Sequence, residues 1–132
     1  MKREIKFRGK VKHHNPMTNP ENGWVVGYYF QNLTQGEMCS YIFQLPCSWE
    51  VIPETVGQFT GLLDKNGKEV YEGDIVIFDN HLQGVSQVVY DYAGFDVVSN
   101  NYRTTLRPKM NNHIRVIGNI HDNTELLKGG EE

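Results

Sequence analysis

The chain of 132 residues suits one domain or two small modules, and the net charge of −3 excludes the globally basic character of a dedicated polyanion binder. The charged fraction of 22% and hydrophobic fraction of 39% are those of an ordinary folded protein, and 13 glycines favour strands and turns. Two cysteines are too few for a disulfide framework, and the run MKREIKFRGK has no apolar core of the kind a secretory leader uses. The expected setting is a soluble cytoplasmic protein with reduced thiols and no membrane association.

Residues 2–12 alternate with a period of two, Ile5, Phe7 and Val11 against Lys2, Glu4, Lys6, Arg8, Lys10 and Lys12, which predicts a strand with one apolar and one mostly cationic face. A cationic face can grip phosphates. It equally serves an edge strand whose lysines prevent edge-to-edge pairing, and this solvated reading takes precedence because no exposed aromatics interleave the charges. His13–Gly23 contains two Asn-Pro pairs and one Asn-Gly, so it reads as a loop, either a binding loop or a plain insertion. His13 and His14 are neighbours, and an extended chain points neighbours to opposite sides, so they do not make a metal pair.

Trp24–Gln31 is aromatic and β-branched and reads as a well-buried strand, paired through a turn at 32–37 with a strand over Met38–Leu45. Pro46 ends that ladder, and Cys47 reads as a small buried hydrophobe rather than a nucleophile. At the ends of one continuous strand Cys39 and Cys47 would lie roughly 26 Å apart, too far to bridge without a chain reversal.

Pro53–Phe78 carries the strongest local signals. Asn66-Gly67 between apolar residues predicts a hairpin, because both types tolerate positive φ. Asp64, Asn66 and Gly67 also resemble half of a calcium loop, at too short a spacing. Glu72-Gly73-Asp74 predicts a second turn, and Ile75–Phe78 is an uninterrupted apolar run that predicts a central strand covered on both faces. Glu69, Glu72, Asp74 and Asp79 invite an acid–base reading with His113 or His121, against a default of carboxylates solvated at turns and strand ends.

Val85–Tyr92 and Phe95–Ser99 form a predicted hairpin around Ala93-Gly94, followed by a loop or irregular strand over 100–112 with Arg103, Arg107 and Lys109. Ile114–Ile120, bearing Arg115, is the last predicted strand. Asp122-Asn123-Thr124-Glu125 then starts a short helix over Leu126 and Leu127, stopped by Gly129-Gly130.

Strands spaced about ten residues apart with Gly, Pro and Asn turns predict a mainly β protein, an antiparallel barrel or sandwich with a short C-terminal helix. The expected organisation is one domain, with an N-terminal sheet over 1–52, a small SH3-like barrel over 53–127 and a mobile tail at 128–132.

Three stretches, Arg3–Arg8, Thr60–Val76 and Val116–Asn123 with Glu125-Leu126-Leu127, resemble the YopX family of phage and prophage proteins. The resemblance implies a small β-rich protein of uncharacterised molecular role and brings no catalytic residues with it. The expectation is a non-enzymatic accessory protein that uses no cofactor and no metal. It would bind a host or phage macromolecule, or a second copy of itself, as a β-rich assembly module. The alternative is nucleic-acid binding through Lys6, Arg8, Lys10 and Lys12, joined by Arg103, Arg107, Lys109 and Arg115.

Overall fold

The computed structural model describes residues 4–13, 22–79, 85–91, 93–99 and 102–129. Most of the expected His13–Gly23 loop, His14 included, lies outside the described residues, as do Lys2, Tyr92 and the tail at 130–132. The chain divides into two compact units, Met1–Phe59 and Thr60–Glu132.

The first unit holds β1 (Phe7–Lys10), β2 (Trp24–Thr34), β3 (Glu37–Gln44), β4 (Cys47–Val51), a 3-10 turn at Pro53–Thr55 and the start of β5 (Gly57–Leu63). All pairings are antiparallel, in the sheet order β4-β3-β2-β1-β5, with β6 (Glu69–Tyr71) completing a six-stranded sheet beyond β5. The Val11–Val51 bridge, with the Lys12 N–H donating to Glu50 O and the Ile52 N–H to Lys10 O, brings the end of β4 back to the end of β1. One bridge is not a ladder, and the sheet remains unclosed.

Val25, Ile42 and Val51, all fully buried, form the core of this unit, with Phe7, Val11, Tyr29, Trp49 and Val56 packed around them. They come from one parity of each strand, as a pleated sheet with one covered face requires. Pro46 ends β3 as expected, and the chain reverses at the cis Leu45-Pro46 bond and returns as β4. One expectation changes here. Cys47 is consequently exposed at the first position of β4 instead of buried, and both cysteines are free thiols.

In the second unit β7 (Asp74–Phe78), β8 (Val85–Asp91), β9 (Gly94–Ser99), β10 (Tyr102–Thr105) and β11 (Ile114–Asn119) form a five-stranded sheet in the order β10-β9-β8-β7-β11. The apolar run over Ile75–Phe78 is an interior strand, paired with β8 on one side and β11 on the other. Its core comprises Val70, Val76, Phe78, Val88, Val97, Ile114 and Val116. The 100–112 segment is more regular than expected, since β10 pairs with β9 and a 3-10 turn spans Pro108–Asn112. The predicted helix is present as α1 (Thr124–Gly129). The expected barrel over 53–127 is not seen: β5 pairs with β1, while β7 to β11 make a separate unclosed sheet.

Candidate functional site

The register of β1 on β2 sets one face of the first sheet. Lys10 lies opposite Trp24 and Arg8 opposite Val26, and alternation adds Lys6, just before β1, and Tyr28 and Phe30 on β2. Tyr28 then lies opposite Phe43 and Phe30 opposite Tyr41, and these two β3 residues lie opposite Ser48 and Glu50 of β4. Val25, Ile42 and Val51 occupy the other face. Cations and aromatic rings therefore share the face opposite these three residues, and at its Lys6 end that face also carries the buried Phe59 of β5.

Tyr28 is 68% exposed and Phe30 38%. The Phe30 and Tyr41 rings stack at 5.2 Å between centroids and 14° between planes, and the Tyr41 hydroxyl lies 3.0 Å from Thr34 Oγ1. At the other end of β2 the Arg8 guanidinium carbon lies 5.0 Å and Lys10 Nζ 5.9 Å from the Trp24 ring centre. A cation over an indole face is attracted by the ring quadrupole. Nε and Nη2 of Arg8 are buried, so Arg8 braces Trp24 from beneath more than it presents charge outward. Lys6 sits 4.9 Å above Phe59 and 3.3 Å from Glu4. Lys12 pairs with Glu50 at 3.2 Å, and His13 reaches the same carboxylate at 3.5 Å. The hydrogen bond between Lys12 and Glu50 raises the lysine above its ordinary value and lowers the glutamate below its own.

The remaining expected cations belong to the second unit and are not gathered there. Arg103 on β10 donates through Nε to Asp96 and through Nη2 to Asp91, both at 2.9 Å, and these carboxylates, Asp96 foremost, hold it more firmly protonated. Arg107 and Lys109 are exposed at the Pro108–Asn112 turn. Arg115 is exposed on β11, the opposite edge of the sheet from Arg103, four strand spacings or roughly 19 Å away.

Two of the acidic residues are not solvated turn carboxylates. Asp64 is buried and accepts the Asn66 N–H at 2.8 Å and the Lys68 N–H at 2.9 Å on Oδ1, and the Val116 N–H at 2.9 Å on Oδ2. Burial pushes its carboxyl upward, but the Val116, Lys68 and Asn66 amides together outweigh burial and hold it below its ordinary value. Asp74 is buried and accepts the Tyr71 N–H at 2.7 Å. Glu69 accepts the Tyr71 hydroxyl at 3.0 Å, and Asp79 pairs with Lys65 at 2.7 Å. Among the described residues, no three His, Cys, Asp or Glu side chains are grouped to hold a metal ion. No helix among them is long and apolar enough to cross a membrane.

What sequence reasoning missed were Trp24, Tyr28, Phe30, Tyr41 and Phe43. Both parities of Trp24–Phe30 are largely apolar, so alternation within β2 does not say which faces the core. The pairing of Lys10 with Trp24 does.

These features define a class: a β-rich protein of two unclosed antiparallel sheets, with a cationic and aromatic face on the first. The same fold occurs in solved structures that cover this chain almost end to end. Protein EF1440 from Enterococcus faecalis is 23% identical with a TM-score of 0.55, and the match covers 96% of this chain and 99% of that one. Protein yopX from Bacillus subtilis is 16% identical with a TM-score of 0.53, again over 96% and 99% of the two chains. No curated protein matches. The sequence model of the family described as YopX protein matches residues 6–128, and the chain belongs to the YopX family.

Proposed function

We propose that this protein is a non-enzymatic binding module whose ligand surface is the outer face of the first sheet. One observation carries the reading: Tyr28 and Phe30 hold large ring areas in solvent beside a basic strand, where burial against the core was available to their neighbours on the other parity. Exposed aromatics that are ordered by the backbone and flanked by charge serve recognition, since they gain area on binding at little cost in side-chain entropy. The acidic residues supply no competing catalytic centre in this reading, because Asp64 and Asp74 are engaged by backbone amides.

The resemblance to phage and prophage proteins supports an accessory role in a bacterial host cytoplasm. Self-association belongs to the same proposal, since each sheet ends in edge strands, and a monomeric mass by light scattering at micromolar concentration would remove it. The SH3-like description applies, in this proposal, to the second unit, where Val70 of β6 packs into the core of the five-stranded sheet.

The test is affinity purification from expressing bacterial cells with wild-type protein and a Tyr28→Ala/Phe30→Ala variant, followed by mass spectrometry and sequencing of co-purified nucleic acid. The reading expects the wild type to retain a macromolecule that the variant loses at least several-fold. Identical recovery from both proteins would overturn it.

A further inference from the structure

We propose that the free edge of β2, residues 28–34, pairs antiparallel with the same edge of a second copy about a two-fold axis at Gln31, joining two first sheets into one. The proposal rests on the self-association in the reading above and names its surface and register.

The hairpin of β2 and β3 outruns its neighbours. β1 covers β2 only from Trp24 to Gly27, and β4 covers β3 only from Ser40 to Gln44. Beyond Gly27 this edge of β2 has no strand partner among the described residues. Residues 30–34 are exposed on both parities, as are Glu37 and Met38 across the turn. An edge of this kind presents a row of N–H and C=O groups ready to pair. It carries none of the devices that keep edge strands apart: residues 28–34 read YYFQNLT, with no charge, no proline and no bulge. The edge is also ordered in advance. Gln35 and Gly36 close the hairpin with positive φ, Phe30 stacks on Tyr41, and the Tyr41 hydroxyl lies 3.0 Å from Thr34 Oγ1.

What each residue would meet selects a second copy as the occupant. With the axis at Gln31, antiparallel pairing sets Tyr29 opposite Leu33 of the partner subunit, Phe30 opposite the partner's Asn32 and Gln31 opposite the partner's Gln31. Leu33 and Met38 are a cross-strand pair on the parity of Val25 and Ile42, yet they lie past that core and are 65% and 61% exposed. The partner's Tyr29, with the partner's Ile42 across from it, extends an apolar row to meet them. Moving the axis by one residue would instead set Leu33 against the partner's Gln31 or the partner's Gly27. At the axis itself an amide both donates and accepts, so Gln31 bonds its own copy, where a charged residue would repel it. Leu33 and Met38 expose on the order of 100 Å² of apolar surface each, so even with the backbone edge the contact falls below the roughly 800 Å² per partner of a standard interface. The dimer is accordingly reversible, with a Kd in the micromolar range.

Sedimentation velocity from about 2 to 200 µM reads the association, and introduced cysteines read the register. In a Cys39→Ser/Cys47→Ser background, Gln31→Cys sets two thiols at the axis with Cα atoms roughly 5 Å apart, within disulfide reach, whereas Thr34→Cys sets them roughly 20 Å apart. Air oxidation is expected to link Gln31→Cys into a covalent dimer at least several-fold faster than Thr34→Cys. Gln31→Lys is expected to weaken the dimer about tenfold or more, because like charges then meet at the axis. The cross-link keeps the test decisive, since a misfolded chain would not discriminate between the two sites. A monomer at every concentration, equal cross-linking at 31 and 34, or an unaltered Kd in Gln31→Lys would overturn the proposal. If the protein stays monomeric while a macromolecule still co-purifies in a Tyr28- and Phe30-dependent way, the strand pairing falls and the binding-module reading stands. A dimer of the expected register that retains no such macromolecule leaves the pairing standing and removes the ligand face.

Discussion

Asp64 carries more of the second unit's architecture than its place in a polar turn suggests. Its two carboxylate oxygens close the turn through Asn66 and Lys68 and tie that turn to β11 through Val116, 52 positions later in the chain. Charged acceptors strengthen such bonds, and leaving buried amides unmet is costly. Asp64→Ala is therefore expected to destabilise the fold by about 3 kcal/mol or more in urea unfolding. The carboxyl sits below its ordinary 3.8 in the folded state, so its stabilisation is fully present well above that value. It is lost as pH falls below 3.8 and through the folded value. The acid-unfolding profile of Asp64→Asn should lack this component while retaining that of other carboxylates. Tyr28→Ala, by contrast, removes a ring that is mostly in water and should change stability by less than about 0.5 kcal/mol. Asn66-Gly67 correctly signalled a reversal, but only Gly67 adopts positive φ there, at 83°. The missing part was Asp64, because its third amide partner lies on a distant strand and no local spacing announces it.

The decisive element is β2. Phe7 lies opposite Gly27, and a Cβ built on Gly27 would fall 1.9 Å from the backbone oxygen of Phe43. A flexible side chain can move aside, whereas a strand carbonyl bonded into a ladder cannot. Gly27→Ala is expected to cost about 3 kcal/mol or more, at the upper end of overpacking penalties, and to loosen the β2–β3 pairing as seen by amide exchange at residues 28–34. The turn at Gln35-Gly36 uses positive φ at both residues, 52° and 83°, which suits a tight hairpin. The existence of β2 and β3 was legible from aromatic and β-branched composition. The burial of β2 was not, since Trp24, Val26 and Tyr28 look as core-like as Val25, Gly27 and Tyr29. Cys47 was misread as buried because the sequence does not show that the chain turns at Pro46 straight into another strand, whose first position is exposed.

At the scale of the molecule, each unit has its own apolar core, and each is open to separate test. Both tryptophans, Trp24 and Trp49, lie in the first unit, so tryptophan fluorescence reports its unfolding. Ile42→Ala, which empties a fully buried site in that core, should lower the fluorescence-detected stability by about 2–5 kcal/mol. Ile114→Ala should cost a similar amount in the second core, read by far-UV circular dichroism. The barrel expected over 53–127 failed at one choice of partner, since β5 lies beside β1 and the strands from β7 onward pair among themselves. Periodicity, turn chemistry and apolar runs are local properties, set by backbone sterics and by which side chains avoid water. On their own they determined that this chain is a succession of antiparallel strands ending in a short helix, and its motifs pointed to its family. Register and partner choice are long-range, because any strand of the right parity satisfies the same local pattern. Only the tertiary structure decided that Lys10 meets Trp24, that Tyr28 faces solvent, and that Asp64 accepts three backbone amides, one of them from a distant strand.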